Sequence, residues 1–173
     1  MANTYTLISS VTVGSGGASS IDFTSIPATY TDLKVVISGR TTRATVQDSI
    51  QVQFNSDTGA NYAYRRLYGT GSAAASDSST GDSSATCGYI DGNNATASTF
   101  GSCEFYIPNY AGSNYKSISS DGVSETNGSA ANSALTATIW NSTSAITSIG
   151  IKGGTGANFQ QYSTAYLYGI KNS

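Results

Sequence analysis

The sequence contains no histidine, and that single absence removes most of the acid–base chemistry enzymes use near neutral pH. Ser-His-Asp and Cys-His nucleophile schemes are excluded outright. Charge is scarce too: 8 basic and 10 acidic residues among 173 leave a formal net charge of −2. So neutral a chain projects no basic field to hold a polynucleotide or an anionic membrane, and neither is an expected partner. No apolar run approaches the length of a membrane span. Only 2 cysteines occur, with no histidine to complete a metal site, so neither metal nor cofactor is expected. The opening "MANTYTLISS" lacks a basic start, an apolar block and a small-residue cleavage site, which predicts no secretion signal and synthesis in a reducing cytoplasm. There Cys87 and Cys103, on either side of the turn-rich "DGNNATAST", are expected as free thiols, although a hairpin could set them face to face.

Serine and threonine supply 51 residues and glycine 19. Such a polar composition could signal disorder, but 12 tyrosines, 5 phenylalanines and a tryptophan are core formers that disordered chains lack. The length suits one domain, long enough to bury about 70% of the surface the unfolded chain exposes.

Period-two alternation appears along most of the chain. "YTLISSVTV" puts Tyr5, Leu7, Val11 and Val13 on one parity, and "LKVVISGR" does the same with Leu33, Val35 and Ile37, leaving Lys34, Val36, Ser38 and Arg40 on the other, so that Arg40 is expected to point outward at the strand's end. In "DSIQVQF" the alternating residues are Ile50, Val52 and Phe54, and "YAYRRLY" repeats tyrosine at 62, 64 and 68. Pro27 marks a turn before the second of these runs. No segment holds a 3.6-residue apolar period, so almost no helix is expected. About ten strands at this spacing predict a single all-β domain over residues 1–173, an antiparallel two-sheet sandwich of jelly-roll type. "GTGSAAASDSSTGDSS", residues 69–84, has no large apolar side chain and reads as a surface loop.

Without histidine, a two-carboxylate glycosidase remains conceivable. Its residues would come from Asp22, Asp32, Asp48, Asp57, Asp77, Asp82, Asp91, Glu104, Asp121 and Glu125, most of which sit where turns and caps use acids, so no enzyme is expected. "FNSDTGAN" offers Asn55 and Asp57 as oxygen donors for calcium, but a turn held by Asn and Asp side chains needs no ion. "GGTGAN" lacks the Lys-Ser/Thr ending and following helix of a phosphate loop. The sequons at Asn94, Asn127 and Asn141 are expected to be unmodified. All four arginines fall between positions 40 and 66. Arg40, Arg43, Arg65 and Arg66 lie near Tyr64 and Tyr68, a residue mix enriched at protein interfaces, and these six are the candidate contact residues. The alternative is solvated charge on an outer sheet face.

"YTLISSVTVGSGGASSIDFTSIPATYTDLKVVISGR", "FNSDTGANYAYRRLYG", "FGSCEFYIPNYAGSNYKSIS" and "YSTAYLYGI" resemble small virion proteins of tailed bacteriophages, either head decoration (cement) proteins or tail-fibre-associated modules. The resemblance covers nearly the whole chain outside residues 69–84 and carries no catalytic residue. It implies a non-enzymatic homo-oligomer, a trimer, on the outer capsid surface, with the major capsid protein and its own copies as partners. The alternative it leaves open is a tail-fibre module that stacks host carbohydrate on Tyr62, Tyr64, Tyr68, Tyr106, Tyr110 or Tyr115.

Overall fold

The computed structural model describes residues 4–128 and 130–171. Met1 to Asn3, which open "MANTYTLISS", Ser129 of the "NGS" sequon, Asn172 and Ser173 lie outside the described residues. Twelve strands follow one another: β1 (Tyr5–Thr12), β2 (Ile21–Phe23), β3 (Asp32–Gly39), β4 (Gln47–Phe54), β5 (Tyr62–Gly69), β6 (Ala74–Asp82), β7 (Ala85–Asp91), β8 (Gly101–Ile107), β9 (Lys116–Ser124), β10 (Asn132–Trp140), β11 (Ile149–Gly153) and β12 (Thr164–Ile170). There is no helix among the described residues.

The strands form two antiparallel sheets, one ordered β1-β12-β3-β8-β9-β10-β5-β6 and the other β2-β11-β4-β7. With β5, β6, β9 and β10 set aside, the order is β1-β12-β3-β8 against β2-β11-β4-β7. The antiparallel pairs β1/β12, β2/β11, β3/β8 and β4/β7 are then those of one long hairpin rolled into a sandwich, the jelly-roll topology. The other four strands are two inserted hairpins, one between β4 and β7 and one between β8 and β11. Because β10 pairs with both β9 and β5, the two hairpins join edge to edge and carry the larger sheet beyond β8.

Alternation decides the core. Leu33, Val35 and Ile37 of β3 and Ile50, Val52 and Phe54 of β4 are fully buried, meeting Phe105, Ile107, Ile149, Ile151 and Leu167 from neighbouring strands. Each such side chain contributes about 1.5–3 kcal/mol on leaving water. At one end Trp140, Tyr62 and Phe54 close the sandwich with ring centroids 5.5–6.4 Å apart. The Pro27 turn is pinned by Tyr110, fully buried, whose hydroxyl donates to the Pro27 carbonyl.

Residues 69–84 are not a loop throughout: Ala74–Asp82 is β6, the outermost strand of the larger sheet. Apolar alternation could not reveal it, because its side chains are Ala, Ser, Thr, Gly and Asp and most are exposed. What orders it is pairing with β5 along its whole length, a turn in which Thr70 N donates to Ala73 O at 2.9 Å, and an ion pair from Arg66 to Asp77.

Cys87 on β7 and Cys103 on β8 are buried free thiols, with Cys103 Sγ donating to the Cys87 carbonyl at 2.6 Å. Burial pushes the Cys87 thiol up to about 12 and the Cys103 thiol well above its usual value, so neither is a nucleophile near neutrality.

Candidate functional site

The six candidate contact residues separate into three places. Arg40, at the end of β3, points into the protein and is only 7% exposed, contrary to the outward placement its parity suggested. Its guanidinium donates to the carbonyls of Asn93 and Thr99 at 3.0 Å and of Ala95 and Thr96 at 2.8 Å, so the loop joining β7 to β8 is wrapped around it. Arg43 lies next to it through Asn93, whose N–H donates to the Arg43 carbonyl at 2.7 Å. Its own side chain donates to Asp48 at 3.0 Å, a fully buried carboxylate that also accepts from Thr41 Oγ1. These two arginines serve the fold.

On β5 successive side chains point to opposite faces, so Arg65 and Arg66 part company. Arg66 turns toward the smaller sheet. It forms a two-pronged pair with Asp77, with Nε at 3.0 Å, and its guanidinium carbon lies 5.4, 5.3 and 4.7 Å from the ring centres of Tyr64, Tyr68 and Tyr89. The structure thus gathers Arg66 with both candidate tyrosines and adds Tyr89, which period two on β5 alone could not reveal. Burial pushes the Tyr89 hydroxyl above its usual range. Arg65 points outward, and the hydrogen bond that its guanidinium makes is to the carbonyl of neighbouring Tyr64.

The carboxylates are largely committed to structure. Asp32 accepts from Tyr106 Oη and Asn109 N, Asp77 from Arg66, Glu104 from Lys34 and Asp91 from Ser124. In the "FNSDTGAN" turn, Asp57 takes hydrogen bonds from Trp140 Nε1 at 2.8 Å, Asn61 Nδ2 at 2.9 Å and Gly59 N at 2.8 Å. Asn55 Oδ1 meanwhile accepts from the Thr147 and Ser148 N–H groups. Donor hydrogens fill the places calcium would take. The Trp140 bond first, then those from Asn61 and Gly59, hold the Asp57 carboxyl below its ordinary value of 3.8. A depressed folded-state value means that this carboxylate's contribution is fully present above its unfolded-state value and is lost as pH falls through the folded one. Asp57→Asn is therefore expected to lower stability at pH 7 and to flatten the acid limb of an unfolding profile below about pH 4, followed by emission of the single tryptophan. An unchanged acid limb would refute this coupling.

The surface that stands out is the outer face of the larger sheet. At the β1/β12 end Tyr5, Leu7 and Tyr166 are exposed, with Tyr5 and Tyr166 each 6.5 Å from the half-buried Tyr168 ring. Tyr106 lies on the same face. Of the tyrosines proposed to stack on sugar, Tyr62 and Tyr110 are core residues, Tyr64 and Tyr68 flank Arg66, and Tyr115 is exposed. The exposed tyrosines of the outer face were missed because a bulge between Leu7 and Ser9 breaks the shared parity of "YTLISSVTV", turning Tyr5 and Leu7 outward while Val11 and Val13 face the core, and because the parity of "AYLYG" does not say which face is inside.

At the other end the usual sandwich pattern is inverted. β10 turns Asn132, Thr136 and Thr138 inward and leaves Leu135, Ala137 and Ile139 outward, with Leu135 61% exposed beside Leu67 at 58%. Thr136 Oγ1 and Asn132 Oδ1 are buried without a hydrogen-bond partner. Between the two ends runs a charged row in which Glu104 stands directly opposite Asp121. Burial and the Glu104 charge raise the Asp121 carboxyl above its usual range.

Geometry thus defines a jelly-roll sandwich with an enlarged, partly apolar outer sheet face. No protein-family model matches the sequence, and no curated protein matches it. Among solved structures the chain is similar to the galectin LEC-6 of Caenorhabditis elegans, at 13% identity over 95% of each chain and a TM-score of 0.27, a likeness too slight to carry an argument.

Proposed function

We propose that this chain is a non-enzymatic virion structural protein of a tailed bacteriophage, a decoration protein that attaches to the outer surface of the head and reinforces it through contacts with the major capsid protein and its own copies. The observation that carries this reading is the outer sheet face, where aromatic residues at one end and aliphatic residues at the other stand side by side in water. A face of that kind marks a surface covered by a partner. The sequence resemblance to phage virion proteins supplies the particle, and the tyrosine end, Tyr5, Leu7, Tyr166 and Tyr168, is the surface assigned to the head. Proteomics and cryo-electron microscopy of purified particles test it. The chain should appear on the head in many copies, and Tyr166→Ala combined with Tyr168→Ala should reduce occupancy at least about tenfold, as expected for loss of aromatic anchors. A chain absent from particles, or confined to the tail tip, sinks the assignment.

The exposed tyrosines favour one second reading, a tail-fibre module that stacks host carbohydrate against Tyr5 and Tyr166. Saturable binding on a glycan array, lost in the same double variant, would put that reading first.

A further inference from the structure

The inverted β5/β9/β10 face has an internal polarity. Its ridge is β10, with Leu135, Ala137 and Ile139 outward. On one side β5 presents Leu67 and Arg65, paired across from Leu135 and Ala137. On the other side β9 presents Asp121, directly across from Leu135, and the 40% exposed Val123. A cation and a carboxylate therefore flank one apolar ridge from opposite sides. Among the described residues neither makes an ion pair: the guanidinium of Arg65 bonds a neighbouring carbonyl, and Lys34, whose charge is felt at Asp121, is paired with Glu104 at 2.7 Å. Asp121 instead faces the Glu104 carboxylate, a destabilising arrangement for an isolated sheet.

We infer that this face is the contact between two copies of the chain, a dimer in place of the trimer that the resemblance implies, packed sheet against sheet about a two-fold axis along β10, with Arg65 of each copy reaching Asp121 of the other. Rotation about such an axis lays β5 of one copy over β9 of the second. The Arg65 and Asp121 positions are then offset by two residues along the strand, about 7 Å, which an extended arginine spans. An axis across the strands would instead put β5 over β5 and set like charges together. Two-fold contacts are self-complementary by construction, and a patch bearing both signs on opposite flanks of an apolar ridge meets that requirement. The ridge would also gain the burial that its outward Leu135 and Ile139 lack in the single chain. Open grooves of about 470 Å³, bordered by Leu67, Ser76 and Leu135, and about 280 Å³, bordered by Ala63 and Ile139, flank Arg65 and leave room for side chains of a facing sheet. The inference holds whether or not the chain is found on a phage particle.

Sedimentation of the purified full chain tests it. The wild-type protein should be dimeric at about 100 µM, well above the Kd expected of a standard interface. Leu135→Asp, Arg65→Glu and Asp121→Arg should each remain folded by circular dichroism and weaken the dimer on the order of a hundredfold, through buried charge or like-charge contact. An equimolar mixture of Arg65→Glu and Asp121→Arg should regain the dimer, because both cross-contacts then join opposite charges. The chain carrying both substitutions should regain it too. A monomeric wild type, or charge-reversed variants that dimerise like the wild type, would overturn the inference. So would a patch protected from exchange only when another protein or the particle is added, which would assign it to that partner.

Discussion

Arg40→Ala is expected to cost about 3 kcal/mol or more of folding stability, whereas Arg65→Ala should change it by less than about 0.5 kcal/mol. The two arginines have the same chemistry and opposite surroundings. Arg40 is buried and spends its guanidinium on the carbonyls of Asn93, Ala95, Thr96 and Thr99, which shape the loop between β7 and β8. Hydrogen bonds from a charged donor contribute about 1.5–3 kcal/mol each, and acceptors left without a donor add their own desolvation cost. Nothing else in that loop replaces the donors together. Its remaining ties include the Thr96 hydroxyl to the Thr126 carbonyl and the Thr99 N–H and hydroxyl to the Thr96 carbonyl, and they leave the carbonyls of Asn93, Ala95 and Thr99 facing the space the guanidinium vacates. Arg40→Lys should fall between, since an ammonium has three donors and no planar fork. Urea unfolding at concentrations too low for association is the measurement. Equal midpoints for Arg40→Ala and Arg65→Ala would show that Arg40 does not hold the loop.

This contrast also shows what the sequence could and could not reveal. β3 and β4 were legible because Leu33, Val35 and Ile37 alternate with Lys34, Val36 and Ser38, and Ile50, Val52 and Phe54 with polar residues, and burial follows parity wherever one face carries most of the bulk. The sandwich follows from many such runs. β6 was not legible, because its order comes from the β5 ladder and from Arg66, neither of which leaves a trace in its own Ala/Ser/Thr composition. Arg40 was misplaced for a related reason: parity set it on an outer face, but the loop that buries it comes more than fifty residues later. The outer sheet face was hidden by the same limit. On β10, alternation is clear in "ALTATIW", yet the bulky Leu135 and Ile139 are the exposed set, a reversal that only the register with β5 and β9 discloses.

Gly122→Ala is expected to be among the most damaging single-methyl changes in the chain, costing about 3 kcal/mol or more by overpacking against backbone. Gly122 lies on β9 where β7 crosses from the smaller sheet, and the two backbones touch there. A Cβ on Gly122 would stand 2.5 Å from Tyr89 N, 2.9 Å from Tyr89 O and 3.1 Å from Gly88 Cα. All three are main-chain atoms, so no side chain can swing aside, and relief requires β7 to move away from β9 as a unit. That movement would also disturb Gly88, where a φ of +94° and the closeness of Cys103 and Gly122 leave no room for a Cβ, and would withdraw Tyr89 from Arg66. Gly16→Ala is the matched control: its added methyl meets nothing within 4 Å, so it should be neutral or stabilising by up to about 1 kcal/mol through the unfolded state. Thermal unfolding of the two variants side by side gives the comparison. If Gly122→Ala unfolded within a degree or two of wild type, the close approach of β7 and β9 would be wrong, and with it the placement of Tyr89 against Arg66.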